Sequence, residues 1–274
     1  MKRWPLFFVL AVPALLTVFP AAGQISVGDT LTTQIGAPDT LTAGVAEWDK
    51  AKPHPTKYGE TRDLLTGATH DLSWLDIHAH ILFAGRSFSP PANEMADHLL
   101  IVREGSLTVT IGSTHKVLGP GGVGLFAAGD NPVFLNTGTA NVSCYLFSFR
   151  SKSGMDHARA RQGGDAILFD WTELTMKKTD KGETRPIFSR PVAWLRKIDM
   201  HATTLDPGQI SHPQHIHRAE EIILLRSGHV RMHIAGGYQK ASGGDLVFLA
   251  SGVPHDLENG DSGQCEYFAL QWEP

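Results

Sequence analysis

Cysteine is scarce: the 274 residues contain two, Cys144 and Cys265. Each lies in an apolar-aromatic stretch in a different half of the chain, so both read as buried free thiols rather than as a pair. A chain of this length buries an adequate core without covalent staples. Charge is also sparse, at 19% Asp, Glu, Lys and Arg with a formal net charge of −4, and no Lys/Arg block occurs. That excludes the electrostatic footprint of a nucleic-acid binder. No long segment carries a strong helical period, which argues against a helical bundle. The one extended apolar run, Leu6 to Phe19, is short for a membrane span and is broken by Pro13. No cysteine lies near its end, which argues against a lipid-anchored leader, and paired arginines are missing from its start.

What is present at the start reads as a secretory leader. Lys2 and Arg3 precede the apolar run, and Phe19-Pro20-Ala21-Ala22-Gly23-Gln24 offers small residues for cleavage. The expectation is a leader over 1–23, export to the periplasm or beyond by the general route, and no stable membrane anchor. Removing Lys2 and Arg3 would take the net charge from −4 to −6.

The rest of the chain repeats itself. Asp76-Ile77-His78-Ala79 matches Asp199-Met200-His201-Ala202. Gly85, Gly105, Gly121, Gly129 and Asn136 match Gly208, Gly228, Gly244, Gly252 and Asn259 at one constant offset of 123 residues. A period this long means duplicated domains rather than a solenoid. Within each copy, short apolar runs such as Leu99-Leu100-Ile101-Val102 and Ile222-Ile223-Leu224-Leu225 end at glycine turns. Leu107–Ile111 and Val230–Ile234 alternate with period two, which puts His229 and His233 on the outer face. Many short strands with Gly/Pro punctuation predict an all-β sandwich or barrel in each copy. Residues 24–70 read as a polar N-terminal arm, 71–150 as the first barrel, 151–190 as a solvated connector and 191–274 as the second barrel. Ile167–Trp171, inside the connector, reads as an added strand.

The chemistry is concentrated in the second copy. His215 and His217 are two apart, Glu221 follows, and His255 lies downstream. Three imidazoles and a carboxylate suit a divalent transition metal. On a strand, His215 and His217 would point to one face. In the first copy the equivalent positions hold Ala92, Glu94, His98 and Pro132, too few donors for a tight site. His212 stands three residues before His215 as a candidate substrate contact. His78 and His201 occur in both copies and read as structural, as does Asn259.

These two runs resemble the paired motifs of the cupin superfamily. The first is carried by Gly208, His215, His217, Glu221 and Gly228, with one extra residue after Gly208. The second is carried by Gly244, Gly252, His255 and Asn259, with Ala250 where the family has proline. The resemblance implies tandem cupin (RmlC-like jelly-roll) barrels, with the metal site intact only in the C-terminal one. It implies one metal ion (Mn, Fe, Ni, Co, Cu or Zn) on His215, His217, Glu221 and His255. Glu221 is the expected proton acceptor should it leave the metal. The donor set is similar to that of quercetinase-type dioxygenases and of oxalate-degrading enzymes; oxalate-degrading bicupins usually carry ligands in both barrels, so the resemblance implies first a dioxygenase on an enol or phenol substrate. The layout of a blank first barrel and a metal-bearing second one resembles ureidoglycine aminohydrolase, although that family uses Glu, His, His and Gln. Cupin sugar isomerases and lyases share the donor set, and metal-assisted binding without turnover is the third expectation. The expected partner is a small molecule, and the expected assembly a monomer or homodimer.

Overall fold

The computed structural model of the protein describes residues 40–92 and 95–274. The leader read at 1–23 and Glu94 lie outside the described residues. Over the remainder the tandem all-β barrels expected from the sequence are observed. Each barrel joins a seven-stranded antiparallel sheet to a smaller one.

In the first barrel the large sheet runs, in spatial order, through Ile167–Phe169, Val123–Phe126, Asp97–Glu104, Val142–Ser151, Leu72–Leu82, Gly59–Gly67 and Pro53–Thr56. In the second it runs through Gly44–Ala46, Leu246–Leu249, Glu220–Ser227, Cys265–Glu273, Lys197–Leu205, Gly182–Arg190 and Lys177–Thr179. The small sheet of the second barrel is Gly237–Ser242, His229–Ile234 and His255–Glu258. Strand alternation decides where each side chain goes. In Glu220–Ser227, Ile223 and Leu225 point into their own barrel, while Ile222 and Leu224 point at the other. The large sheets therefore pack face to face over a shared core that includes Ile77, Phe147, Met200 and Phe268. Sheets buried on both faces need continuous apolar strands, which is why these segments read as unbroken hydrophobic runs. In Leu107–Ile111 and His229–Ile234 alternation holds: Val230, Met232 and Ile234 are buried and His229 is exposed. Cys144 and Cys265 are free and buried in the interiors of different barrels.

The domain limits differ from the sequence expectation. Gly59–Gly67, placed in the arm, and Gly182–Arg190, placed in the connector, are full members of the large sheets. They are mostly half-buried and rich in polar residues, which hides them from a hydrophobicity reading. The added strand expected near 167 exists, as Ile167–Phe169, but it pairs with Val123–Phe126 of the first barrel. Reciprocally, Gly44–Ala46 pairs with Leu246–Leu249 of the second. These two strands are separated by the same offset of 123, so the copies exchange edge strands.

The exchange is pinned by matching aromatic contacts. Trp48 follows the first exchanged strand and meets the Tyr145 ring edge-on at 5.7 Å, with Arg62 and Arg103 over its face. Trp171 follows the second and meets Phe268 at 5.8 Å, beneath Arg185 and Arg226. Gly121, at φ +87°, has no Cβ because one would lie 2.8 Å from the Trp171 ring. Among the described residues the α-helix His157–Gly163 lies in the connector, capped by the Asp156 carboxylate, and no helix is long and apolar enough to cross a membrane.

Candidate metal centre

The candidate ligands converge at the mouth of the second barrel. Glu221, the second residue of the strand Glu220–Ser227, pairs with Leu249 and points into the barrel, where it is buried. His255 opens the strand His255–Glu258, also buried. His215 is held to it by two backbone hydrogen bonds of 3.1 Å, forming an isolated bridge. His217 lies beyond that bridge, outside regular strand, so the same-face argument applied to a continuous strand does not describe it. Its position is fixed otherwise: its carbonyl accepts the Gly252 N–H at 3.0 Å, and its Nδ1 faces the Ala219 carbonyl at 2.7 Å. The ligand-type nitrogens of His215, His217 and His255 all lie within 4.8 Å of one another.

Tautomers follow from these contacts. Nδ1 of His255 faces the Val253 carbonyl at 2.8 Å, and Nδ1 of His217 faces that of Ala219, so each Nδ1 carries the proton. Each Nε2 is then left to face the site. Nε2 of His217 lies 3.3 Å and Nε2 of His255 3.6 Å from the same oxygen, Oε2 of Glu221. Nε2 of His255 and Nδ1 of His215 are buried without a hydrogen-bond partner. Neutral Nε2 lone pairs turned toward a carboxylate repel unless a cation lies between them. The donor set thus fits a divalent transition metal: imidazole nitrogens and one carboxylate oxygen are gathered at one place, with Nε2 of His255 buried and unpartnered there.

The electrostatics agree. In the metal-free protein a proton on the facing imidazoles takes the place of that cation: burial alone would raise the Glu221 carboxyl, but His217 and His255, so charged, outweigh it and bring its pKa down to about 2. The Glu221 carboxylate in turn raises His217 above the ordinary histidine value. Burial, with the neighbouring imidazoles, lowers His215. A carboxyl held this acidic is a weak proton acceptor while both imidazoles face it.

His212 belongs to the same cluster. Its ring packs edge-on against that of His215 at 4.0 Å and lies 6.2 Å from that of His255. Burial lowers its pKa. It also walls a cavity of about 400 Å³ that is further lined by Lys181, His201, Thr203, Ser211 and Tyr267. Sequence reasoning missed Lys181, Thr203 and Tyr267. Tyr267 was detectable only by counting alternation along Cys265–Glu273, and Lys181 depends on the fold of its turn, where Nζ donates to the Ser211 carbonyl at 3.0 Å. Asn259 is a turn residue: its amide donates to the carbonyls of Leu205 and Gly263, each at 2.9 Å. Asn136 does the same to Leu82 and Ala140 in the first barrel.

In the first barrel the described equivalents, at 92, 98 and 132, do not build a site. Ala92 is exposed, Pro132 is buried but offers no side-chain donor, and His98 is buried with Nδ1 3.0 Å from Ser148 Oγ. Among the described residues no other group gathers three metal-type ligands.

Paired jelly-roll barrels with a histidine-rich mouth define a two-barrel cupin architecture. The comparisons agree with it. Residues 201–270, within the second barrel, match the family model described as Cupin domain. The chain is similar in structure to AerE from Microcystis aeruginosa (TM-score 0.61, 13% identity, 82% of this chain and 98% of that one). It is similar to oxalate decarboxylase from Bacillus subtilis (TM-score 0.62, 13% identity, 86% and 77%). It is also similar to the protein Ylba from E. coli (TM-score 0.63, 16% identity, 83% and 89%). At these identities the likeness establishes the fold. No curated protein is significantly similar to the chain in sequence.

Proposed function

We propose that the second barrel holds one divalent transition metal on His215, His217, Glu221 and His255, and that the protein is an enzyme acting through it on a small oxygen-rich molecule. The observation that carries this reading is the pair of Nε2 atoms facing Oε2 of Glu221 while both Nδ1 atoms are engaged by carbonyls. Bound there with open positions, a metal supplies Lewis-acid or redox chemistry toward the oxygens of a substrate.

The chain's own residues do the rest. Glu221 keeps a negative charge at the bottom of the site, and it is the proposed proton acceptor once substrate displaces it from the imidazoles. His212 stands between the centre and the adjacent cavity, where it contacts substrate. Lys181, Thr203 and Tyr267 bring one ammonium and two hydroxyls to that cavity.

Asp180 and Glu183 line the same cavity, and walls this rich in hydrogen-bonding groups suit an oxygen-rich polar molecule better than a flat apolar ring. The finer reading is therefore isomerase, lyase or hydrolase chemistry on a sugar acid or ureido compound, ahead of a dioxygenase on an enol or phenol. Release of a keto acid or ammonia identifies the first, and dioxygen uptake the second. Saturable binding without turnover would leave a metal-assisted binding module. The protein acts outside the cytoplasm, after removal of 1–23, and picks up its metal there. Periplasmic expression followed by N-terminal sequencing checks this: a start near Gln24 supports export, and a retained Met1 opposes it.

The deciding experiment is elemental analysis of the protein beside a His215→Ala/His217→Ala variant. The expected result is about one transition-metal equivalent per chain, lost in the variant. A metal-free wild type after metal-replete expression would overturn the proposal.

A further inference from the structure

The metal ligands sit in one barrel, but the segment that carries two of them is held by the other. Glu220, adjacent to Glu221, is 0% exposed. Its carboxylate accepts three hydrogen bonds from one loop of the first barrel: from Thr69 Oγ1 at 2.5 Å, from the His70 N–H at 2.9 Å and from the Asp71 N–H at 3.1 Å. Asp71, 3% exposed, then receives a two-pronged contact from Arg218, with Nη1 and Nη2 each 2.7 Å from one carboxylate oxygen. Arg218 follows His217. Loop 69–71 thus grips both ends of the stretch between His217 and Glu221.

The duplication supplies an internal comparison. At the offset of 123, Glu220 corresponds to Asp97, loop 69–71 to loop 192–194, and the pair Asp71 and Arg218 to Trp194 and Met95. Asp97 repeats the clamp, accepting the N–H groups of Ala193 at 3.2 Å and Trp194 at 2.7 Å. The forked ion pair is not repeated. Trp194 instead gives its indole N–H to the Met95 carbonyl at 2.8 Å. The carboxylate-to-loop clamp therefore belongs to barrel pairing, because both junctions have it. The Asp71–Arg218 fork occurs only at the junction that bears metal-type ligands.

We infer that Asp71 is a positioning residue for the metal centre: through Arg218 it sets the path of His217–Glu221, so that Nε2 of His217 and Oε2 of Glu221 face each other before metal arrives. The first barrel then has a task in the chemistry although its described residues gather no ligand set of their own. The inference rests on the metal reading given above. A guanidinium–carboxylate fork has fixed geometry, so it constrains direction as well as distance. Partners that orient ligands from behind typically change metal affinity by about 10–100-fold when removed.

The test measures cobalt(II) affinity by chelator competition, and melting with EDTA present, for the full chain and three variants. Asp71→Asn removes the charge, Arg218→Lys keeps a cation but loses the fork, and Trp194→Phe breaks the corresponding contact at the metal-free junction. The expected result is a loss of affinity of about tenfold in Asp71→Asn and Arg218→Lys, with Trp194→Phe within twofold of wild type. Melting of the metal-free protein reports any general loosening separately. Should Asp71→Asn fail to fold, the exposed Arg218→Lys decides alone. Wild-type affinity in both fork variants, or an equal loss in Trp194→Phe, would overturn the inference while leaving the metal reading intact. A wild type that binds no cobalt would remove both.

Discussion

Single residues carry well-separated duties here, and burial tells them apart. Asn259 is fully buried, donates to two carbonyls and accepts the Asp261 N–H at 3.2 Å. Asn259→Ala strands those buried carbonyls, so a loss of about 2 kcal/mol is expected in urea unfolding, with metal content unchanged. Asn136→Ala in the first barrel should match it. Glu221 and His217 respond instead to pH. The depressed Glu221 pKa, about 2 against 4.5, means its contribution is complete above pH 4.5 and fades as pH falls toward 2. The raised His217 pKa means its contribution is complete below its ordinary 6.5 and fades as pH rises through the raised value. In the metal-free protein the pair therefore stabilises most between those limits. The Glu221→Gln variant should lose that plateau in melting scans from pH 3 to pH 9. Metal affinity runs the other way at the upper limit: it should climb as His217 loses its proton and then level off, as followed by zinc titration across the same range.

At the level of strands and loops, what the sequence exposed and what it concealed have distinct physical causes. The duplication was legible because turns demand glycine: Gly105 and Gly228 both sit at φ +79°, and a Cβ there would meet the neighbouring strand at 2.9 and 2.8 Å. His215, His217, Glu221 and His255 were legible because their residue types and spacing are chemically restrictive. The Thr69–Asp71 loop was not, because Glu220 binds it largely through backbone N–H groups, which any sequence has. The strand exchange was hidden for another reason. Three-residue edge strands such as Gly44–Ala46 carry too little pattern to reveal which sheet they join. Their anchors are the tryptophans that follow. Trp171→Ala removes the contact with Phe268 and the stacking of two arginines, and releases Ile167–Phe169 from its sheet. A destabilisation of about 2–3 kcal/mol is expected, somewhat below that of a fully buried tryptophan. Trp48→Ala should cost a similar amount, and urea midpoints of the two variants check the equivalence.

For the molecule as a whole, the decisive feature is that neither barrel closes its own edge. Each large sheet ends on a strand donated by the other copy, and the apolar faces left by the two sheets are buried only against each other. Opening one barrel therefore exposes the shared core and frees an edge strand that the other barrel needs. The carboxylate clamps at Glu220 and Asp97 tie the same two halves together from both sides. Under these conditions the barrels cannot unfold in sequence without each losing the other's support. A single cooperative transition is expected in calorimetry, with the van't Hoff enthalpy equal to the measured one, despite two repeats in the chain. Two resolved transitions would mean that the exchange contributes little. Metal sharpens the test. An ion bound only at the second barrel's mouth stabilises by mass action whatever unfolds with it. If the halves are coupled, saturating metal moves the whole transition upward as one peak, and tryptophan fluorescence and far-ultraviolet dichroism shift by the same amount. If they are not, the metal lifts one phase and leaves the first barrel melting where it did before.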